Sequence, residues 1–343
     1  MAPVASRGVV VLIKPPGLTS QSAVTFVKRI LGVKKAGHGG TLDPDVAGVL
    51  PVFVGDATKI IPFLPTGAKV YRAEVTFGIS TDTQDASGRP ERIVRDFRLP
   101  VAAVTGALLS FHGVGTQIPP MTSALHFQGQ RLYELARRGE VVDRPARPVE
   151  VHELKVLGVY PASPEARPEA RPGARSGVVC APDAVLGFGS RVLFEVKASR
   201  GFYVRTLCHD LGSKLGVGAH LSFLVRTASH PFDVSQGLTM EELRGLGPDA
   251  PLISLNEALR EYPAVVLTEG EAWRVYHGNA IPKGGWVGGG VDGDAAECAA
   301  SPYVRLIDAA GDLIAVARPE RAKRPVPEGH LWLRPVRVFE EMR

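Results

Sequence analysis

Apolar residues recur along this chain with two periods, and the switches between them mark out its elements. Val9 to Ile13 is an unbroken aliphatic run rich in β-branched side chains and reads as a buried strand. Lys14, Pro15, Pro16 and Gly17 cannot continue it and form a turn. Val24, Val27, Ile30 and Leu31 then fall at helical spacing, with Ser20 or Ser22 as the cap and Gly32 as the stop. Leu50 to Val54 reads as a second buried strand, and Asp56 to Leu64 as a short helical segment. Lys69 to Phe77 alternates strictly: Tyr71, Ala73, Val75 and Phe77 share one face, Val70, Arg72, Glu74 and Thr76 the other. Arg191 to Ser199 alternates in the same way. A helix follows, with Val204, Leu207, Leu211 and Leu215 inward, Gly216 at its end, and Tyr203 and Arg205 at its first turn.

Between and beyond these elements the pattern changes. Residues 80 to 88 (STDTQDASG) form a polar turn in which Asp82 and Asp85 read as turn formers, since no glutamate follows at calcium-loop spacing. Residues 117 to 150 open on a Pro-Pro break and hold one short helix, with Leu132 and Leu135 inward and Arg131, Arg137 and Arg138 around it. Residues 161 to 176 (PASPEARPEARPGARS) have no apolar face and predict a flexible insertion. From about residue 259, short β-like runs (264–267, 303–308, 313–317, 331–333) alternate with glycine-rich turns, and WRVYHGNAI sits among them. The division this predicts is residues 1–258 and a small β-barrel-like module over 259–343.

Composition narrows the function classes. A chain of 343 residues with 45% hydrophobic and 22% charged residues is an ordinary globular protein, long enough for two domains. The net charge of +5 allows an anionic partner without requiring one. Cys180, Cys208 and Cys298 are odd in number and widely spaced, which argues for a reducing compartment and against structural zinc. No leader pattern and no apolar run long enough to span a membrane is present, so the expected location is the cytoplasm.

The chemistry concentrates in residues 37 to 59, GHGGTLDPDVAGVLPVFVGDATK. Glycines surround His38, and Pro44 holds the preceding Asp43 in an extended or turn conformation. Taken alone, Asp43 reads as well as a turn starter as it does as a fixed catalytic carboxylate. The whole string closely resembles the signature loop of the TruB-type tRNA pseudouridine synthases, which modify the T-loop uridine of tRNA (position 55). That resemblance makes Asp43 the catalytic residue. KPPGLTS matches the start of the same family and places Lys14 close to the active-site loop. KVYRAEVTFG matches the strand that carries the family's active-site tyrosine, here Tyr71. GFYVRTL matches the segment whose arginine pairs with the catalytic aspartate, here Arg205, with Tyr203 hydrogen-bonding or walling the site. A cation at a helix N-terminus is electrostatically unfavourable, and Asp43 is the expected compensating anion. In GAHLSFLVRTASHPF, Leu224 matches a leucine of the uridine pocket. Val225 and His230 depart from the arginine and glycine common there. By the same resemblance, residues 117–150 are a mobile insertion that closes over the tRNA arm, and the C-terminal module is PUA-type.

The implied fold class is α+β: a pseudouridine-synthase catalytic domain on a central mixed, mostly antiparallel sheet with flanking helices, plus the small C-terminal β module. The implied reaction breaks the N–C glycosidic bond, turns the uracil and rejoins it through carbon, with no cofactor and no metal. Asp43 would attack C1′ or C6 or assist elimination. Tyr71 would stack on the flipped uracil and accept the C5 proton, His38 would contact the flipped nucleotides, and Leu224 would close the apolar side. The expected partner is the tRNA T-arm, met by a monomer with no protein partner. Three alternatives compete: a guide-RNA-dependent relative, a non-catalytic RNA-binding protein, and a glycoside hydrolase. The last usually needs two carboxylates at a set separation, and Asp43 and Asp45 are too close in sequence for a confident pair.

Overall fold

The computed structural model describes residues 7–123, 125–162, 184–283, 295–320 and 331–339. The chain divides into two compact units, one holding residues up to 66 together with those from 229 onward, the other residues 67–228. The 161–176 stretch from residue 163 onward lies outside the described residues, as do 284–294 and Cys180.

The first unit begins with β1 (Gly8–Lys14), α1 (Ser20–Leu31), β2 (Ala36–His38) and β3 (Ala47–Val54). β1 pairs antiparallel with β3, from Gly8↔Val54 to Lys14↔Gly48. β2 pairs with β3 from Ala36↔Val54 to His38↔Val52. The aliphatic runs are continuous because both faces of β1 and β3 are covered. Val9, Val11, Val49 and Phe53 form one core with Ala57 and Ile60, and Phe53 packs edge-on against Phe232 at 6.1 Å. The cap of α1 is Thr19, neither Ser20 nor Ser22: its Oγ1 accepts from Ser22 N at 3.0 Å. Gly32, at φ 66°, ends the helix as expected.

The second unit carries β4 (Lys69–Phe77), α2 (Val101–Leu109), β5 (Gly113–Gln117), α3 (Leu132–Arg137), β6 (Arg147–Tyr160), β7 (Arg191–Ala198), α4 (Val204–Lys214) and β8 (Ala219–Ser229). Its strands lie in the order β8-β4-β7-β6-β5. The strict alternation of β4 and β7 is real: Tyr71, Ala73, Val75 and Phe77 go inward with Val192, Phe194, Val196 and Ala198, against Val104 and Leu108 of α2 and Leu207 and Leu211 of α4. β6 is long and shifts register against β7 twice, between Val151 and Glu153 and between Val156 and Gly158. Such bulges break the period-two pattern from which a strand is read.

The rest of the first unit ends in β9 (Ala264–Val266), α5 (Glu269–Tyr276), β10 (Ile281–Lys283), β11 (Val304–Ile307), β12 (Leu313–Glu320) and β13 (Leu331–Val338). These strands form a sheet in the order β9-β11-β12-β13-β10, parallel at β9–β11. Val265, Val275, Leu306, Ile314 and Leu333 share a core there. The first four residues of WRVYHGNAI are helical, since Thr268 caps α5: Thr268 N donates to Glu271 Oε2 at 2.8 Å, and Glu271 N to Thr268 Oγ1 at 3.3 Å. The fold is therefore α+β, with a mostly antiparallel sheet, flanking helices and a C-terminal β module.

Gly212 sets how closely α4 approaches β8. A Cβ there would lie 2.1 Å from Ala219 N and 2.5 Å from Gly218 C, backbone atoms that cannot turn aside. Gly212→Ala should cost about 3 kcal/mol, as overpacking does, read as a lower urea midpoint with unchanged slope. A midpoint equal to wild type would show that α4 can back away freely.

Candidate active site

Asp43 is half-buried, and the residues on either side of it are both held by side chains from other elements. On one side, Leu42 N donates to Ser20 Oγ at 2.9 Å while Ser20 Oγ lies 3.0 Å from Leu42 O. On the other, Lys14 Nζ donates to Pro44 O at 2.9 Å, and also to Pro15 O at 2.8 Å and Leu18 O at 2.7 Å. Lys14 has no exposure to solvent, so its ammonium depends on these oxygens. Val46 N donates to Asp43 O at 3.1 Å and closes the turn after the carboxylate. Gly48, opposite Lys14 in the strand pair, has φ 116°, a conformation that side chains rarely tolerate. His38 ends β2, half-buried and in register with Val52.

Tyr71, Tyr203, Arg205 and Leu224 lie in the second unit. Tyr71 is 9% exposed, opposite Val196 on β7, and belongs to the core of that unit. Leu224, on β8, packs partly buried against the same core. Tyr203 is the N-cap residue of α4, and its main chain is pinned by the buried Gln117: Tyr203 N donates to Gln117 Oε1 at 2.9 Å, and Gln117 Nε2 to Tyr203 O at 3.1 Å. Arg205 is 6% exposed. Its Nη1 donates to Thr122 Oγ1 at 2.5 Å and more loosely to Asp85 Oδ2 at 3.4 Å and Thr83 O at 3.5 Å. Asp85 is itself fixed by its turn, with Oδ1 accepting from Ser87 N at 3.0 Å, Ser87 Oγ at 2.6 Å and Thr83 Oγ1 at 2.7 Å. Thr206 Oγ1 donates to Gln84 Oε1 at 2.9 Å, binding the same turn to α4.

The sequence reading thus named the residues at the two loops, and Lys14 beside the first, and missed the other side chains that hold them. Ser20 was read as a helix cap, and Gln117 and Thr122 carried no signal beyond standing beside the Pro-Pro break. Asp85 was correctly read as a turn former; its second role beside Arg205 could have been sought from the need of a buried guanidinium for an acceptor. Cys208 is buried and its thiol is pushed upward by desolvation and then by Asp210, which makes it a packing residue. Among the described residues, no group of His, Cys, Asp and Glu is arranged to hold a metal ion, and no helix is long and apolar enough to cross a membrane.

A solved Cbf5-Nop10-Gar1 complex contains a chain of the same fold as this one, with a TM-score of 0.62 and 25% identity over 98% of this chain and 85% of that one. The architecture is that of a pseudouridine synthase. A model of the N-terminal domain of TruB family pseudouridylate synthases matches residues 28–174, and one of the tRNA pseudouridylate synthase B C-terminal domain matches residues 205–250. A tRNA pseudouridine synthase B from Symbiobacterium thermophilum is 48% identical over 80% of this chain and 82% of its own length. One from Moorella thermoacetica is 38% identical over 97% and 99%. The chain belongs to the TruB family of pseudouridylate synthases.

One further cation stands out beside Tyr71. Burial, then the neighbouring Arg226 and Arg200, push the Lys69 ammonium from 10.5 down to about 8. Because the folded value is below the unfolded one, the unfolded chain binds more protons between about pH 8 and 10.5. Stability should therefore rise with pH across that window. Lys69→Met should be more stable than wild type at pH 7, on the order of 2 kcal/mol, and the gap should close by about pH 10.5. Urea unfolding at both pH values checks this; a gap that does not change with pH would show an ordinary lysine.

Proposed function

We propose that this chain isomerises the T-loop uridine of tRNA, position 55, to pseudouridine, acting as a monomer in the cytoplasm without guide RNA. The supporting observation is the doubly clamped Asp43 loop in a chain of this family: Ser20 holds Leu42 and Lys14 holds Pro44, so the carboxylate between them has little freedom. Relatives matched along nearly their whole length bear the name tRNA pseudouridine synthase B. Positioning of this kind is what nucleophilic or acid–base chemistry by one carboxylate requires.

In this reading the uridine is flipped out of its stack, which costs a few kcal/mol. Tyr71 stacks on the uracil and Leu224 closes the apolar side, with Tyr203 and His38 walling the flipped nucleotides. Asp43 engages the ribose or the uracil as the N–C bond breaks. The base turns, its C5 bonds to C1′, and the C5 proton is taken up at the Tyr71 oxygen as the phenol's own proton passes on to N1, so that the net change is one proton moved from C5 to N1. The product is an isomer of the substrate, so no atom is gained or lost. Arg205 is the cation that keeps the catalytic carboxylate ionised, which fits the family pattern GFYVRTL. Residues 1–258 form the catalytic domain and 259–343 a PUA-like RNA-binding domain, in keeping with the separate core shared by Val265, Leu306 and Leu333. Residues 117–150 act as the clamp on the T-arm.

Turnover of one purified tRNA transcript, with no other RNA or protein added, tests the whole reading. Product only when a second RNA is supplied would make the chain guide-dependent, and binding without product would make it a non-catalytic binder. Asp43→Asn should abolish turnover while keeping tRNA binding within about tenfold, because the amide preserves shape and loses the reactive carboxylate. Residual rates above a few per cent of wild type would remove Asp43 from the chemistry.

Tyr71→Phe keeps the π-face and most of the buried area, so tRNA binding should be normal. Single-turnover rates should fall by about 10² to 10⁴, the usual effect of losing a general base. Near-normal rates would leave Tyr71 as a stacking surface alone.

A further inference from the structure

Lys69 opens β4, two positions before Tyr71 and on the same side of the strand. Its register partner on β7 is Ala198, and Arg200 follows two residues later in the turn leading towards α4. From the other neighbour, β8, Thr227 Oγ1 donates to Val70 O at 3.3 Å, which sets the preceding Arg226 beside the start of β4. Arg226 is wholly buried, Lys69 half-buried and Arg200 exposed. Desolvation, then Arg226, then Arg200 lower the affinity of Lys69 for its proton, in keeping with this placement. Among the described residues, neither the Lys69 nor the Arg200 side chain makes a hydrogen bond or ion pair.

Folding alone gives no reason for this arrangement, since a half-buried cation facing two others destabilises the chain that carries it. The outer face of the same sheet shows how cations are handled when only stability matters. There Arg72 pairs with Glu195 at 2.9 Å, Lys155 and Lys197 with Glu153 at 2.8 and 3.1 Å, and Arg191 with Glu74 at 3.2 Å.

We propose that Lys69 and Arg200, with Arg226 behind them, bind one phosphodiester group of the RNA substrate next to Tyr71. The identity of the RNA rests on the function proposed above; the anion site does not. A phosphate supplies the acceptor that the Lys69 and Arg200 side chains lack, the ammonium meeting it as a point charge and the guanidinium as a planar fork. A backbone phosphate gripped beside the stacking tyrosine fixes the register of the flipped nucleotide.

Two measurements test this. In the first, the pH dependence of Lys69 acetylation is followed by mass spectrometry with and without inorganic phosphate. Phosphate should raise the midpoint by about one unit, as a nearby opposite charge does, and chloride at equal ionic strength should not. No shift overturns the anion site, whatever the substrate proves to be. In the second, binding of a T-arm stem-loop is measured against salt for wild type, Lys69→Met, Lys69→Arg and the charge-matched control Lys155→Met. Lys69→Met should lower the slope of log affinity against log salt by a little under one unit, the value for a single phosphate contact. Lys69→Arg should keep the slope, and so should Lys155→Met. Equal slopes in Lys69→Met and the control, or loss of slope in Lys69→Arg, overturn the assignment to RNA. A wild type that binds phosphate at Lys69 and ignores the stem-loop retains the anion site and removes the T-arm reading.

Discussion

The Lys14 ammonium is excluded from solvent and held by main-chain oxygens of Pro15, Leu18 and Pro44, and the loop that carries Asp43 is shaped by that contact. Taking an ammonium out of water costs several kcal/mol, so the three carbonyls must stay where the lysine finds them. The constraint runs outward from there. Pro15 and Leu18 belong to the turn that ends β1, so the same ammonium ties strand, turn and Asp43 loop together. Ser20, one residue into α1, then fixes Leu42 from the other side through a bond in each direction. A loop rich in glycine would otherwise carry a large conformational entropy. Here two side chains restrain it through the main chain on either side of Asp43.

The N-terminus of α4 is built by a similar economy of parts. Arg205 sits where the helix dipole is unfavourable to a cation, and within its own unit the structure surrounds it with oxygens from two segments: Thr122, and Thr83 with Asp85. Asp85 cannot swing away, because its other oxygen already accepts from Ser87 and Thr83. Gln117 meanwhile grips both polar groups of the Tyr203 main chain. The opening of the 117–150 region is thus part of the scaffold for α4, whatever its later residues do.

Much of this was legible in the sequence wherever a period could run undisturbed. β4 and β7 alternate without a bulge, so their inner faces could be listed residue by residue, and β1 and β3 could be read from unbroken aliphatic runs. β6 could not, because two register shifts break its alternation. The start of α1 was misplaced by one side chain. Thr19, Ser20 and Ser22 are all competent caps in sequence, and only the fold shows that Ser20 is committed to Leu42. α5 was obscured by the aromatic, β-favouring residues Trp273, Val275 and Tyr276, whereas the capping box at Thr268 and Glu271 decides the matter locally. The candidate residues were legible as motif, and their supports were not. Asp43, Tyr71 and Arg205 stand in recognisable strings, while Gln117, Thr122 and Ser20 act through contacts between segments distant in sequence.

The distribution of charge adds a last step that composition hides. A net charge of +5 on 343 residues is modest and by itself says little about partners. What matters is where the compensation is local. Across the outer face of β4, β6 and β7, acids and bases interleave, and Lys155 and Lys197 hold the Glu153 carboxyl down to about 2. Fields from such neighbouring opposite charges cancel within a Debye length of about 8–10 Å. Around Lys69 and Arg200 the cancellation fails, and partial burial of Lys69 keeps the field there from being screened as it would be in open water. A polyanion approaching the sheet therefore meets a neutralised surface on one face and a concentrated positive potential beside Tyr71. That asymmetry acts at a distance, so it can orient a polyanion before any contact forms.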